Sequence, residues 1–197
     1  MFSIKDKYYF IIESTKDIIL KNIKKRNKFV IVYRNLKNIE EKTQLIKFRN
    51  ECKRKSIDFY VANNISLAID LNSDGLYLSS YNRSFKSLSL KKTNFQIIGS
   101  AHSPREIFMK VKQGCKEILF SKLFLVDYDK KSSFHGVIKF NNYLRLNKYL
   151  IPLGGINHKN LNSLNSIKCM GFALMSEIKK SRLKYLAGFF NFRLLYN

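Results

Sequence analysis

Acidic residues are scarce in this chain. Its 197 residues hold 14 Asp and Glu against 37 Lys and Arg, a formal charge of +23. An excess of that size ordinarily points to a polyanionic partner such as RNA or an acidic membrane face. The cations are nevertheless spread through most segments, with short clusters at 21–25, 53–55 and 179–182 instead of one tail or stripe, which suits solvated helix faces. Nucleic acid is therefore the less favoured partner. Proline is also rare, with two residues, so no Pro-rich linker divides the chain and a single domain over 1–197 is expected. Near the N-terminus no apolar stretch is long enough to span a membrane, because the run 8–12 is interrupted at Glu13 and Lys16. That run is too short for a signal peptide and no small-residue cleavage site follows it, so a cytoplasmic protein without a membrane partner is expected. The three cysteines, Cys52, Cys115 and Cys169, form no C-x-x-C pair, and His102, His135 and His158 are dispersed. Free thiols and the lack of a zinc site follow.

What the chain does contain is alternation. Short apolar runs at 8–12, 29–33, 58–61, 75–78, 95–98, 117–120, 150–153 and 170–174 read as strands. Between them lie helical patterns, clearest at 15–24, 39–55, 104–113, 137–147 and 177–190. Ser103, Pro104 and Glu106 supply an N-cap, a first-turn proline and a capping-box acid, and Ser14 or Thr15 with Asp17 opens the first helix in the same way. Strand then helix, repeated eight times, predicts an α/β fold of the (β/α)8 TIM barrel type, with a doubly wound open sheet as the runner-up.

In such a barrel the chemistry sits where strands end. That rule selects Glu13, Arg34, Asn63, Asn82, Ser100, Lys122, Gly154, Gly155 and Ser176, and it leaves Asp74 at the opposite rim as a structural or solvated acid. Two of these loops stand out. Gly154-Gly155 after the seventh run lets backbone N–H groups approach an oxyanion, and Met175-Ser176 after the eighth precedes a helical pattern. Loops after strands seven and eight are where such barrels build a phosphate cup.

The residues resemble those of the thiamine-phosphate synthase/TenI family of thiamine biosynthesis. The run Ala68-Ile69-Asp70-Leu71-Asn72-Ser73-Asp74-Gly75-Leu76-Tyr77-Leu78 is similar to the family's "ALALGADGVHL". Ile97-Ile98-Gly99-Ser100-Ala101-His102-Ser103 resembles "IIGVSAHS" with one residue missing. The Gly154-Gly155-Ile156 loop and Ala173-Leu174-Met175-Ser176, in place of "AVMSAI", complete four matches in register. The resemblance implies small phosphorylated substrates. The synthase joins hydroxymethylpyrimidine diphosphate to thiazole phosphate and releases diphosphate, whereas TenI aromatises a carboxythiazole phosphate tautomer without a metal. It implies that Gly154, Gly155, Met175 and Ser176 hold the thiazole phosphate, and that the barrel forms homo-oligomers.

The departures concern the diphosphate end. The resemblance implies magnesium held by two aspartates, and those positions carry Asn63 and Asn82, which removes the charge a hard cation needs. The family's "QLREK" becomes Val32-Tyr33-Arg34-Asn35-Leu36 and keeps only the arginine. Its "TxTK" loop falls at Val126, Tyr128 and Asp129, with Lys130 and Lys131 just beyond. Arg34, Arg83, Lys122, Lys130 and Lys131 are the cations available to meet diphosphate. Ser100 is the candidate hydrogen-bond donor at the mouth. The TenI catalytic histidine aligns near Ser121-Lys122, which makes Lys122 the candidate acid or base, while His102 is read as setting a strand-to-helix turn. A divergent synthase leads. A tautomerase, a non-catalytic thiazole-phosphate-binding paralogue and a nucleic-acid-binding protein follow it.

Overall fold

A computed structural model describes residues 5–23, 28–35, 40–92, 95–126, 129, 131, 133–176 and 178. Eight strands run β1 (Lys7–Ile12), β2 (Phe29–Tyr33), β3 (Asp58–Ala62), β4 (Gly75–Leu78), β5 (Gln96–Ala101), β6 (Glu117–Ser121), β7 (Leu150–Leu153) and β8 (Gly171–Leu174). Each pairs in parallel with its sequence neighbour, and β8 returns to β1 through Lys7↔Gly171 and Phe10↔Leu174. The sheet is therefore closed, a (β/α)8 TIM barrel, and the open-sheet alternative falls.

Both faces of every strand are covered, which is why the strands read as continuous apolar runs. Tyr9, Ile11, Val30, Val32, Tyr60, Tyr77, Ile98, Leu119, Ile151 and Ala173 fill the interior. Their strand neighbours, such as Tyr8, Phe10, Phe29, Phe59, Phe120 and Phe172, form the outer layer with residues of the surrounding helices. At the N-terminal end Glu117 accepts a hydrogen bond from the Tyr9 hydroxyl and lies 3.3 Å from the Lys7 ammonium, so its inward carboxylate is partnered.

Four helices are described: α1 (Lys42–Arg54), α2 (Ile65–Asp70), α3 (Pro104–Lys112) and α4 (Gly136–Leu146). At the start of α3 the N-cap and the first-turn proline are as expected, with Ser103 Oγ accepting from Glu106 N, but the Glu106 carboxylate accepts from His102 N instead of closing a capping box on Ser103. The segment 15–24, expected as one helix, instead forms two 3-10 turns, Thr15–Asp17 and Leu20–Asn22. Asp17 closes a capping box with Ser14, and the Glu40 carboxylate binds Ser14 Oγ, Thr15 N and Thr15 Oγ1, which fixes the first turn. Ile18 and Ile19 then run extended, so that Ile18, Leu20 and Ile23 are all buried without a helical face. Short 3-10 segments, Lys86–Lys92 and Leu161–Ser166, also follow β4 and β7. The expected helix over 177–190 lies outside the described residues apart from Ile178.

Candidate active site

Arg34, Lys122, Gly154, Gly155, Met175 and Ser176 come together in one cleft of about 340 Å³ at the C-terminal end of the barrel. The glycine loop is shaped by its own bonding. Gly154 and Gly155 have φ of +94° and +69°, a region that side chains rarely adopt. Their carbonyls are turned back into the protein: Gly154 O accepts from Phe124 N at 3.0 Å, and Gly155 O accepts from Asn160 Nδ2 at 2.7 Å and Asn157 Nδ2 at 3.2 Å. The N–H groups of Gly154, Gly155, Met175 and Ser176 donate to no acceptor among the described residues. Spent carbonyls and unspent amides on adjacent loops make a cradle for an oxyanion.

Two cations stand at this wall. Arg34 follows β2, with its N–H bound to Ile12 O at 2.8 Å, and its buried Nε has no partner among the described residues. Lys122 follows β6, and its ammonium pairs with Asp129 Oδ2 at 2.7 Å. Lys122 is thus a tethered charge. Lys131 sits on an exposed turn outside the cleft lining, and Lys130 lies outside the described residues. Ser100 is buried and shares the inward face with Ile98, and it is not among the residues that line the cleft.

The cleft also holds residues that reading along the chain passed over. His102 lines it, with Nδ1 2.8 Å from Ser121 Oγ. The backbone of His102 does set the turn, because its N–H donates to Glu106 Oε2 at 2.7 Å. Its ring does something else. Ala101 pairs with Phe120 in the β5–β6 ladder, so the next residues along, His102 and Ser121, meet at the rim. That register is the signal that would have found the pair.

His135, just before α4, lies close by without lining the cleft. Its ring stacks on Phe120 with centroids 4.5 Å apart, and its Nε2 is buried without a partner among the described residues. Burial pushes the imidazole below its ordinary value of 6.5, and a hydrogen bond to the Ser121 backbone works the other way. The unfolded chain then binds this proton more readily. The histidine's contribution to stability is fully present above pH 6.5 and is lost as pH falls through the lowered folded value. The denaturation midpoint is expected to decline on acidification below pH 6.5, and less steeply in His135→Phe. Parallel curves for the two proteins would clear His135 of that role.

Asn63 and Asn82 form a closed knot. Asn63 Oδ1 accepts from Ser79 N at 3.0 Å, Ser79 Oγ at 3.1 Å and Asn82 Nδ2 at 3.0 Å, and Asn82 Oδ1 accepts from Ser84 N at 2.9 Å. Both amide oxygens are committed to the protein and neither residue carries charge. No group of three or more His, Cys, Asp or Glu among the described residues is placed to hold a metal. This donor set does not fit magnesium, which prefers carboxylate oxygens.

A sequence profile described as thiamine monophosphate synthase matches residues 7–178. The chain belongs to that family. Among its relatives is the thiamine-phosphate synthase of Prochlorococcus marinus subsp. pastoris, 26% identical over 186 residues. The match takes in 92% of this chain and 51% of the relative, so the chain spans about half the relative's length. Solved structures agree on the fold. Thiamine phosphate pyrophosphorylase from Pyrococcus furiosus superposes with a TM-score of 0.70 at 18% identity, covering 93% of this chain and 95% of that one. The 3-keto-L-gulonate-6-phosphate decarboxylase from Vibrio cholerae gives 0.63 at 12% identity, covering 96% and 99%. No helix among the described residues of this chain is long and apolar enough to cross a membrane.

Proposed function

We propose that the chain is a single-domain enzyme of thiamine assembly, a transferase that condenses hydroxymethylpyrimidine diphosphate with thiazole phosphate. The observation that carries this reading is the cradle of unspent amides at Gly154, Gly155, Met175 and Ser176 in a cleft that also holds Arg34 and Lys122. The cradle binds the thiazole phosphate and presents the ring nitrogen to the pyrimidine methylene carbon. As the nitrogen lone pair forms the new C–N bond, the C–O bond to diphosphate breaks and its electron pair passes to the departing oxygen. Arg34, whose Nε lacks a partner among the described residues, and Lys122 meet the charge that develops there.

Because Asn63 and Asn82 do not suit magnesium, turnover of the two substrates in a coupled assay is expected to persist in EDTA. Complete loss on chelation would contradict that expectation. Binding of thiazole phosphate without any turnover would favour a non-catalytic paralogue. Thiazole tautomerase is the second reading, favoured by His102 and Ser121 at the same cleft, and it predicts conversion of the carboxythiazole phosphate tautomer with no pyrimidine substrate present.

A further inference from the structure

We propose that His102 is the general acid that protonates the departing diphosphate, held in place by Ser121. The inference rests on the condensation reading above. Among the described residues lining the cleft, Arg34, His102 and Lys122 carry basic side chains and none is Asp or Glu. Arginine keeps its proton in proteins, so Arg34 offers charge and hydrogen bonds alone. Lys122 is engaged by Asp129 at 2.7 Å. An imidazole can donate a proton from one ring nitrogen while the other is held, and His102 supplies the imidazole among the described residues lining the cleft.

The geometry suits that role. The His102 N–H is fixed by Glu106 and the following turn by Ser103, so the backbone cannot swing the ring away. Ser121 is buried at the end of β6, and its Oγ takes Nδ1 of the charged ring at 2.8 Å. Nε2 has no hydrogen-bond partner among the described residues. In the step, Nε2 gives its proton to the oxygen that receives the electron pair of the breaking C–O bond. The neutral ring recovers a proton from solvent after diphosphate leaves. A side-chain acid here supplies part of what the asparagine knot does not.

The groups that face His102 are Arg34 from β2, Ser121 and Lys122 from β6 with Asp129 beyond, His135 before α4, and Glu106 on its own helix. All of them remain present in the His102→Gln variant, so a pH limb that disappears with the ring belongs to His102. Initial rates of wild type and His102→Gln are compared on the pyrimidine diphosphate and on the corresponding pyrimidinylmethyl bromide, whose leaving group needs no proton. With diphosphate, kcat is expected to fall about 100-fold in the variant, and its decline at rising pH to vanish. With bromide the loss is expected to stay below about threefold, because acid assistance is not required. Thermal stabilisation by thiazole phosphate should be the same in both proteins. Ser121→Ala, which leaves the ring present but unheld, is expected to lose about tenfold on diphosphate alone. Equal losses on both leaving groups, or an unchanged kcat, would overturn the proposal while leaving the condensation reading intact. A wild-type chain that binds thiazole phosphate yet turns over neither pyrimidine substrate would remove both.

Discussion

Gly155→Ala is expected to cost about 3 kcal/mol of stability, roughly 10 °C in Tm, and to abolish binding of thiazole phosphate. A Cβ at this position would lie 2.4 Å from Leu125 O, 2.5 Å from Phe124 O and 2.6 Å from Phe124 C. These are backbone atoms of the loop after β6, and no rotamer change moves them aside. Strain adds to the clash, because φ is +69° and the Gly155 carbonyl is tied by Asn160 and Asn157, which resists relaxation to another conformation. The same loop carries Lys122 and Asp129 at its two ends, so a shift of Phe124–Leu125 also moves the cationic wall of the cleft. Gly154→Ala is the internal control. Its φ is +94°, but the nearest atoms to an added Cβ are Lys122 Cα at 3.3 Å and Lys122 Cβ at 3.4 Å, so strain dominates and about 1–2 kcal/mol is expected. Denaturant midpoints together with a thiazole phosphate titration measure both. Equal stability of the two variants would show that the loops do not abut as described.

How much of this was readable along the chain depends on whether a feature is local. Strands buried on both faces announce themselves as apolar runs, and 29–33, 75–78 and 150–153 fall where the strands do. Crossovers are harder, because Ile18, Leu20 and Ile23 suit a helix by composition yet reach the core from extended backbone pinned by Glu40 across the β2–α1 connection. The same distinction runs through the cleft. Gly154 and Gly155 were legible because positive φ demands glycine, and Arg34 and Lys122 because they follow strands directly. Ser100 required the pleat to be counted from Ile98, which turns it inward. The contact between His102 and Ser121 depends on the register of two strands, and the commitment of Asn63 Oδ1 depends on Ser79 and Asn82 from another loop. Neither relation is carried by a linear pattern.

At the opposite rim, Asp74→Ala is expected to cost about 3 kcal/mol while leaving kcat unchanged. Asp74 Oδ1 takes Arg49 Nη2 at 2.8 Å and Oδ2 takes Phe59 N at 2.8 Å, and its backbone bonds Phe59 O and Gln96 N. The carboxylate thus joins α1 to the start of β3, and the backbone of the same residue ties β3 and β5 at the entry to β4. Arg49 is 5% exposed, and beyond Asp74 it has the carbonyl of Asn72 at 3.1 Å, while Nη1 has no partner among the described residues. Removing the acid would leave a buried guanidinium with a single oxygen, the costly way to break such a pair. Because the Asp74 side chain is 35% exposed, water can reach the vacated position, which keeps the loss at the low end of the range for buried pairs. Adding Arg49→Met removes the stranded charge and fills its space with an apolar chain, so the double variant is expected to recover about 1–2 kcal/mol relative to Asp74→Ala. Urea denaturation of the three proteins tests this, since a double variant less stable than Asp74→Ala would mean that the guanidinium is solvated and that the carboxylate acts mainly through Phe59.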